Sequence, residues 1–221
     1  MSKAAEILSE RWTLIIVREM ICGNDRFNEI ERRLPGIPKS VLSKRLKDLE
    51  VAGIVVKRQV PGNRRFSYNL TMAGEDLFGI IERMGVWAQR WVIQDIGPED
   101  TDPDMLMWDM QRRINMDKLP PRRIVVQFEL LGAQRKIYWL VLEKPQPSIC
   151  LEDPGFEIDL VVTADSLALH RVWMGRLDIA DALRKDQIKL EGPVDLKRAF
   201  PGWLALNLFA GVPYEGVATT A

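Results

Sequence analysis

The stretch from Pro38 to Gly53 constrains the fold of this chain more than any other. Proline suits the first turn of a helix, because its missing N–H would be unsatisfied there anyway. Glycine suits the left-handed stop at the far end. A helix over 38–52 repeats at about 100° per residue, which puts Leu42, Leu46 and Leu49 on one arc with Val41 at its edge. The opposite arc carries Ser40, Lys44 and Lys47, flanked by Ser43 and Lys39, with no acid at its centre. Arg45 falls on the flank of the leucine arc, which points to an ion pair with an acid of a neighbouring helix. After Gly53 come an apolar strand over 54–58, a polar turn at Pro61-Gly62-Asn63-Arg64-Arg65 and a second strand over 66–70. Strand, glycine turn, strand is a hairpin signal.

Upstream, residues 4–22 read as two helices meeting near Ser9, the second with Trp12, Ile15, Ile16 and Met20 at helical spacing. Asp25 is placed to cap a short third helix carrying Phe27, Ile30 and Leu34. Helices followed by a hairpin form a winged helix-turn-helix, and its basic helix face is then a DNA reader. Lys39, Ser40, Ser43 and Lys44 lie nearest the base edges, and Lys47 grips backbone. In the wing, Asn63, Arg64 and Arg65 sit where a hairpin tip meets phosphate or the minor groove. Alternation along the following strand sends the two arginines to opposite faces.

Charge supports this division. The chain of 221 residues is neutral overall. Residues 1–70 nevertheless hold 14 lysines and arginines against 8 acids, so the remainder is equally negative. A phosphate-facing first half joined to a half that avoids phosphate has this signature. Thr71 is an N-cap candidate for a long helix over 71–94. Leu77, Ile81, Met84, Ala88 and Trp91 form one apolar stripe on it, and Ala73, Ile80 and Trp87 an adjacent one. Two stripes are one more than docking on a single domain needs, so the second is expected to pair with its copy in a homodimer, the alternative being that it packs on the C-terminal domain of the same chain.

The segment 95–103, with proline, glycine and four acids, reads as a linker. Beyond it, a helix over 104–115 precedes strands over 124–130, 136–142, 148–151 and 157–162. Helices follow over 166–174 and 179–184, then a strand over 188–190, a helix over 196–208 and a loose tail over 213–221. In the first strand Ile124, Val126, Phe128 and Leu130 alternate with Val125, Gln127 and Glu129, which suits an antiparallel sheet covered on one side. The expected fold class is α+β, with domains at 1–94 and 104–212.

No catalytic constellation, zinc spacing or phosphate-cradling glycine loop occurs, and His170 is the single histidine. An enzyme, a cofactor and a metal site are therefore not expected. Cys22 and Cys150 lie in apolar stretches and read as buried small hydrophobes of a reducing compartment. With neither a secretory leader nor an apolar run of about 20 residues, the expected location is the cytoplasm, with no membrane span.

Ordered matches from Glu6 to Trp91 carry a family resemblance. They include Ile7-Leu8-Ser9-Glu10-Arg11-Trp12, Arg26-Phe27-Asn28-Glu29-Ile30, Leu34-Pro35-Gly36-Ile37, Val41-Leu42-Ser43-Lys44-Arg45-Leu46 and Tyr68-Asn69-Leu70-Thr71. This stretch resembles the HxlR-type winged-helix transcription regulators. The resemblance implies a homodimer on operator DNA with inverted half-sites, joined through the first helix and the long helix after the wing. Many members place a cysteine several residues before the Ile7-Leu8 segment. That position precedes Met1 here and Cys22 lies elsewhere, so such a thiol switch is not expected. The second half is similar to the sterol-carrier-protein-type fold through Asp159-Leu160-Val161-Val162-Thr163, Gly175-Arg176-Leu177-Asp178 and Ile188-Lys189-Leu190-Glu191-Gly192. That likeness implies helices set against a five-stranded, mainly antiparallel sheet, and an apolar or lipid-like effector whose contacts are unknown. Trp139, Trp173, Met174, Trp203 and Phe209 suit a greasy interior, whether as core or as pocket. The alternative function is a lipid carrier or accessory protein of lipid metabolism with a non-regulatory winged helix.

Overall fold

The computed structural model describes residues 2–34, 36–60, 62, 65–92, 97–98 and 101–216. It divides into two compact bodies, Met1–Trp87 and Ala88–Ala221.

The first body is a helical cluster with a hairpin: α1 (Ser2–Leu8), α2 (Thr13–Ile21), α3 (Phe27–Arg33), α4 (Lys39–Val51), β1 (Val55–Gln59), β2 (Phe66–Leu70) and α5 (Met72–Glu75). Helix α6 (Phe78–Trp91) begins in it. Ile16 and Val17 of α2, Ile30 of α3 and Leu42, Leu46 and Leu49 of α4 are almost wholly buried together. The cap of α3 is Arg26 rather than Asp25, and its backbone N–H donates to Glu29 Oε2 at 3.3 Å. Cys22 is exposed at the end of α2, not buried, and neither cysteine forms a disulfide.

The long helix expected over 71–94 is two pieces, α5 and α6. Thr71 caps α5 through Gly74 N–H and also donates its hydroxyl to Gly53 O at 2.7 Å. Gly74 sits so close to the start of the hairpin that a Cβ there would meet Ile54 O at 2.4 Å. Leu77 N–H then reaches back only three residues, to Gly74 O. The first turn is thus tied to the hairpin, and the helix restarts at Phe78. Residues 93–94 of that expectation lie outside the described residues.

In α6 the two expected stripes are redistributed. Leu77 is buried, and Ile81 packs on the core of the first body. Ile80, Met84 and Trp87 are exposed.

The second body builds a five-stranded mixed sheet in the order β5-β4-β3-β6-β7. Its strands are β3 (Ile124–Leu131), β4 (Lys136–Leu142), β5 (Ser148–Cys150), β6 (Leu160–Asp165) and β7 (Ile188–Glu191). The β3–β6 pair is parallel and the other neighbours are antiparallel. Strand β6 starts at Leu160, not 157, because Asp159 is occupied: its carboxylate accepts Val125 N–H and an Arg122 guanidinium bond. Helices α7 (Pro103–Arg112), α8 (Ser166–Trp173), α9 (Ile179–Arg184) and α10 (Val194–Trp203) complete this body. Trp173 and Trp203 lie in its core, where the Phe200 ring stands edge-on to Trp203 at 5.9 Å. Val125 and Val141 are also buried, on the sheet face expected to be polar. Helix α10 stops at Trp203 instead of 208, since Asn115 N–H bonds Trp203 O and Leu204 bridges Ile114 in extended form.

A polar tie joins α7 to β4. Asp104 accepts from Tyr138 Oη at 2.5 Å and from Lys136 Nζ at 2.7 Å. Burial works to raise the Asp104 carboxyl, but the bonds from Lys136 and Tyr138 and the Lys136 charge outweigh it and hold the group below its usual range. Burial first, then the facing Asp104 carboxylate, pushes the Tyr138 phenol far above its usual value. The signs are opposite. Asp104's contribution is present at neutral pH and is lost as pH falls below about 4. Tyr138's contribution is complete below about pH 10 and is lost above it. Tyr138→Phe is expected to cost about 1–2 kcal/mol at neutral pH. It is also expected to flatten the fall of stability at alkaline pH, as read by urea unfolding at pH 7 and pH 11.

Candidate nucleic-acid interface

Helix α4 is held from below by its leucines and entered through a tight turn. Ile37 N–H bonds Leu34 O, Gly36 takes φ 86°, and Pro38 O receives the N–H groups of Val41 and Leu42. Lys39, Ser40, Ser43, Lys44 and Lys47 all stand exposed on its outer face. Lys39 Nζ lies 3.5 Å from Glu31 Oε1, and Lys44 Nζ lies 3.1 Å from Asp48 Oδ2. Asp48 was not foreseen beside Lys44; one turn on, it reaches back to the lysine. Such exposed pairs contribute about 0–1 kcal/mol, so a phosphate or a guanine edge can replace them. Lys47 makes no ion pair among the described residues.

Arg45 behaves as its position on the flank demands. It is largely buried and bonds Glu10, in the turn between α1 and α2, as well as Asp48 on its own helix at 3.1 Å. Its guanidinium therefore braces α4 against the start of α2 and is not presented to a ligand. A second brace was not legible in the sequence. Glu19 is buried, and Asn24 Nδ2 donates both to its Oε2 at 2.9 Å and to its backbone carbonyl at 3.1 Å. That pair ties the turn between α2 and α3 to the end of α2. The available signal was an acid inside an apolar helix followed five residues later by asparagine.

The hairpin pairs Val55 with Leu70 through to Gln59 with Phe66, and Val60 N–H closes it on Arg65 O. Arg65 is exposed at its end. Asn63 and Arg64, both expected at the tip, lie outside the described residues, and with them the alternation expected of Arg64 and Arg65. Lys57, absent from the expected site, lies 4.3 Å from the Phe66 ring centroid and 5.7 Å from that of Tyr68. Tyr68 N–H donates to Asp25 O at 2.7 Å, which pins the second wing strand to the turn before α3. The structure thus gathers five of the eight expected residues on one helix face and sets Arg65 on the adjoining hairpin. Among the described residues, no group of His, Cys, Asp and Glu is placed to hold a metal ion. No helix there is long and apolar enough to cross a membrane.

The profile of the HxlR-like helix-turn-helix family matches residues 7–96. The uncharacterized HTH-type transcriptional regulator YvaP of Bacillus subtilis (strain 168) is 42% identical over 91 residues, 41% of this chain and 84% of YvaP. The HTH-type transcriptional regulator YodB of the same organism is 33% identical over 92 residues, 41% of this chain and 82% of YodB. The solved structure of YodB in its reduced form is 31% identical, with a TM-score of 0.40, covering 43% of this chain and 95% of that one. Identity of this order across most of YvaP's length, on the segment that carries α4 and its hairpin, means that the chain belongs to the HxlR-like helix-turn-helix family.

Proposed function

We propose that this chain is a homodimeric, cytoplasmic DNA-binding transcription regulator. Helix α4 enters the major groove, where Lys39, Ser40, Ser43 and Lys44 meet base edges or phosphates and Lys47 grips backbone. Asn63, Arg64 and Arg65 at the wing follow the backbone or the minor groove. The observation that carries this reading is the division of one helix: three buried leucines on one side, three exposed lysines and two exposed serines on the other. Residues 1–94 act as the DNA-binding unit with its dimerisation helix, 95–103 as linker and 104–212 as a sterol-carrier-like domain. The apolar core of that second domain supports its reading as a sterol-carrier-like sensor. A ligand that prefers one arrangement of the paired second domains would shift the spacing of the two recognition helices.

The test is retardation and footprinting of the DNA upstream of the protein's own gene, across a salt series. A protein that neutralises about six phosphates loses roughly three orders of magnitude in affinity between 50 and 200 mM salt. A protected inverted repeat with that salt dependence is the expected result. Lipid transfer between vesicles without any DNA retardation would overturn the proposal.

A further inference from the structure

A cleft of about 540 Å³ opens in the first body, away from the basic face of α4. That volume falls within the range of small-molecule sites, about 300–1,000 Å³. Met20, Ile21 and Leu70 give it apolar walls, and the rings of Tyr68 and Phe78 also border it. Its ionisable carboxyl groups are Asp25 and Glu75, and among the described residues no lysine or arginine lines it. Within a body of net positive charge, this is a local reversal of sign.

The neighbouring charges sharpen the choice of ligand. Arg26 Nε lies 3.8 Å from Asp25 Oδ1, so that carboxylate is already partly balanced. Glu75 is exposed and makes no ion pair among the described residues. The cleft therefore presents about one uncompensated negative charge beside aromatic and aliphatic surface. Lys57 Nζ lies 5.7 Å from the Tyr68 centroid but does not line the cleft, so it shows only that this ring takes a cation contact. An anion would meet two carboxylates, and a neutral solute would forgo both the charge and the ring quadrupoles.

We infer that this cleft is an effector site for an amphiphilic organic monocation, an ammonium group carrying an aromatic or branched alkyl body. The site is distinct from the second domain, for which an apolar effector was proposed above. Its walls come from the end of α2, the turn before α3, the second wing strand and the segment from α5 into α6. Since Tyr68 N–H and Asp25 O already bond across it, an occupant touches the wing and the entry to the helix-turn-helix at once. Phe78 faces the cleft from a position about 150° around α6 from the exposed arc of Ile80, Met84 and Trp87. Pairing of two copies through that arc therefore leaves this side open.

Binding is read without DNA, so its failure is separable from failure of the DNA-binding proposal. The full chain, labelled with ¹⁵N, is titrated at constant ionic strength with phenethylammonium, 2-phenylethanol and phenylacetate. Saturable shifts of the Gly23 and Asn69 amides are expected with the cation. The alcohol is expected to bind about fivefold or more weakly, the effect of one exposed charge pair with a ring contribution. Phenylacetate is expected to leave both amides unmoved. Glu75→Gln is expected to reduce the cation to the affinity of the alcohol. Equal affinities for cation and alcohol in the wild-type chain, saturable shifts with phenylacetate, or no saturable shift with the cation would each overturn the assignment.

Discussion

Replacing Lys44 by glutamate is expected to lower operator affinity by at least about a hundredfold at moderate salt while leaving the fold and the dimer unchanged. The size follows from symmetry. A regulator that binds two half-sites carries the substitution twice, and each copy loses a cationic contact and gains a repelled carboxylate. About 1.5 kcal/mol per half-site is enough for that factor. The fold is expected to tolerate the change because Lys44 is solvated and its bond to Asp48 is a surface pair on one helix. The like-charge pair created at positions 44 and 48 costs only a few tenths of a kcal/mol. Arg45, one residue on, is the opposite case: it is tucked against Glu10 and Asp48, so its loss would act through the packing of α4. Mobility shift and melting temperature, measured on the same preparation, separate the two kinds of effect. Undiminished binding by Lys44→Glu would remove α4 from the groove.

Where local chemistry decides a boundary, the sequence announces it. Strand β2, strand β4 and helix α9 lie where their patterns place them, because each is bracketed by turn residues or a cap, as Asp178 caps α9 through the N–H groups of Ala180 and Asp181. Helix α4 follows the same logic, with Pro38 before it and Gly53 at φ 71° after it. What escapes is whatever depends on a distant partner. Period-2 alternation says that β3 and β6 are strands, but carries no information that they run parallel side by side. Nothing local to Gly74 reveals that Ile54 O leaves no room for a Cβ there, or that the long helix comes in two pieces. Val125 looks like a residue of a polar face until Val141 is registered opposite it. The candidate interface was legible for the same reason as its helix: all of its α4 residues belong to one local period. The cleft was not, because its walls are drawn from segments between Met20 and Phe78 that only the fold assembles.

Trp87→Glu is expected to convert a dimer into a folded monomer. At about 100° per residue, Ile80, Met84 and Trp87 fall within roughly 60° of one another on α6, while Ile81 packs on the core of its own body. The relative exposures of these three are 43%, 53% and 59%, so this much apolar surface of the first body is left without a partner within it. A twofold axis along such an arc brings each residue against the same arc of the second copy. An unpaired carboxylate in that contact costs several kcal/mol in each of two symmetric positions, enough to raise the dimer dissociation constant about a thousandfold or more. The monomer is expected to remain folded, since Trp87 belongs to neither core cluster. Sedimentation equilibrium at low micromolar concentration reads the mass directly. The same variant is expected to lose the full inverted repeat and keep only weak half-site binding, because the two recognition helices no longer share one frame. Dimeric mass together with a lowered melting temperature would mean that the arc packs within its own chain, and would end the case for pairing through α6.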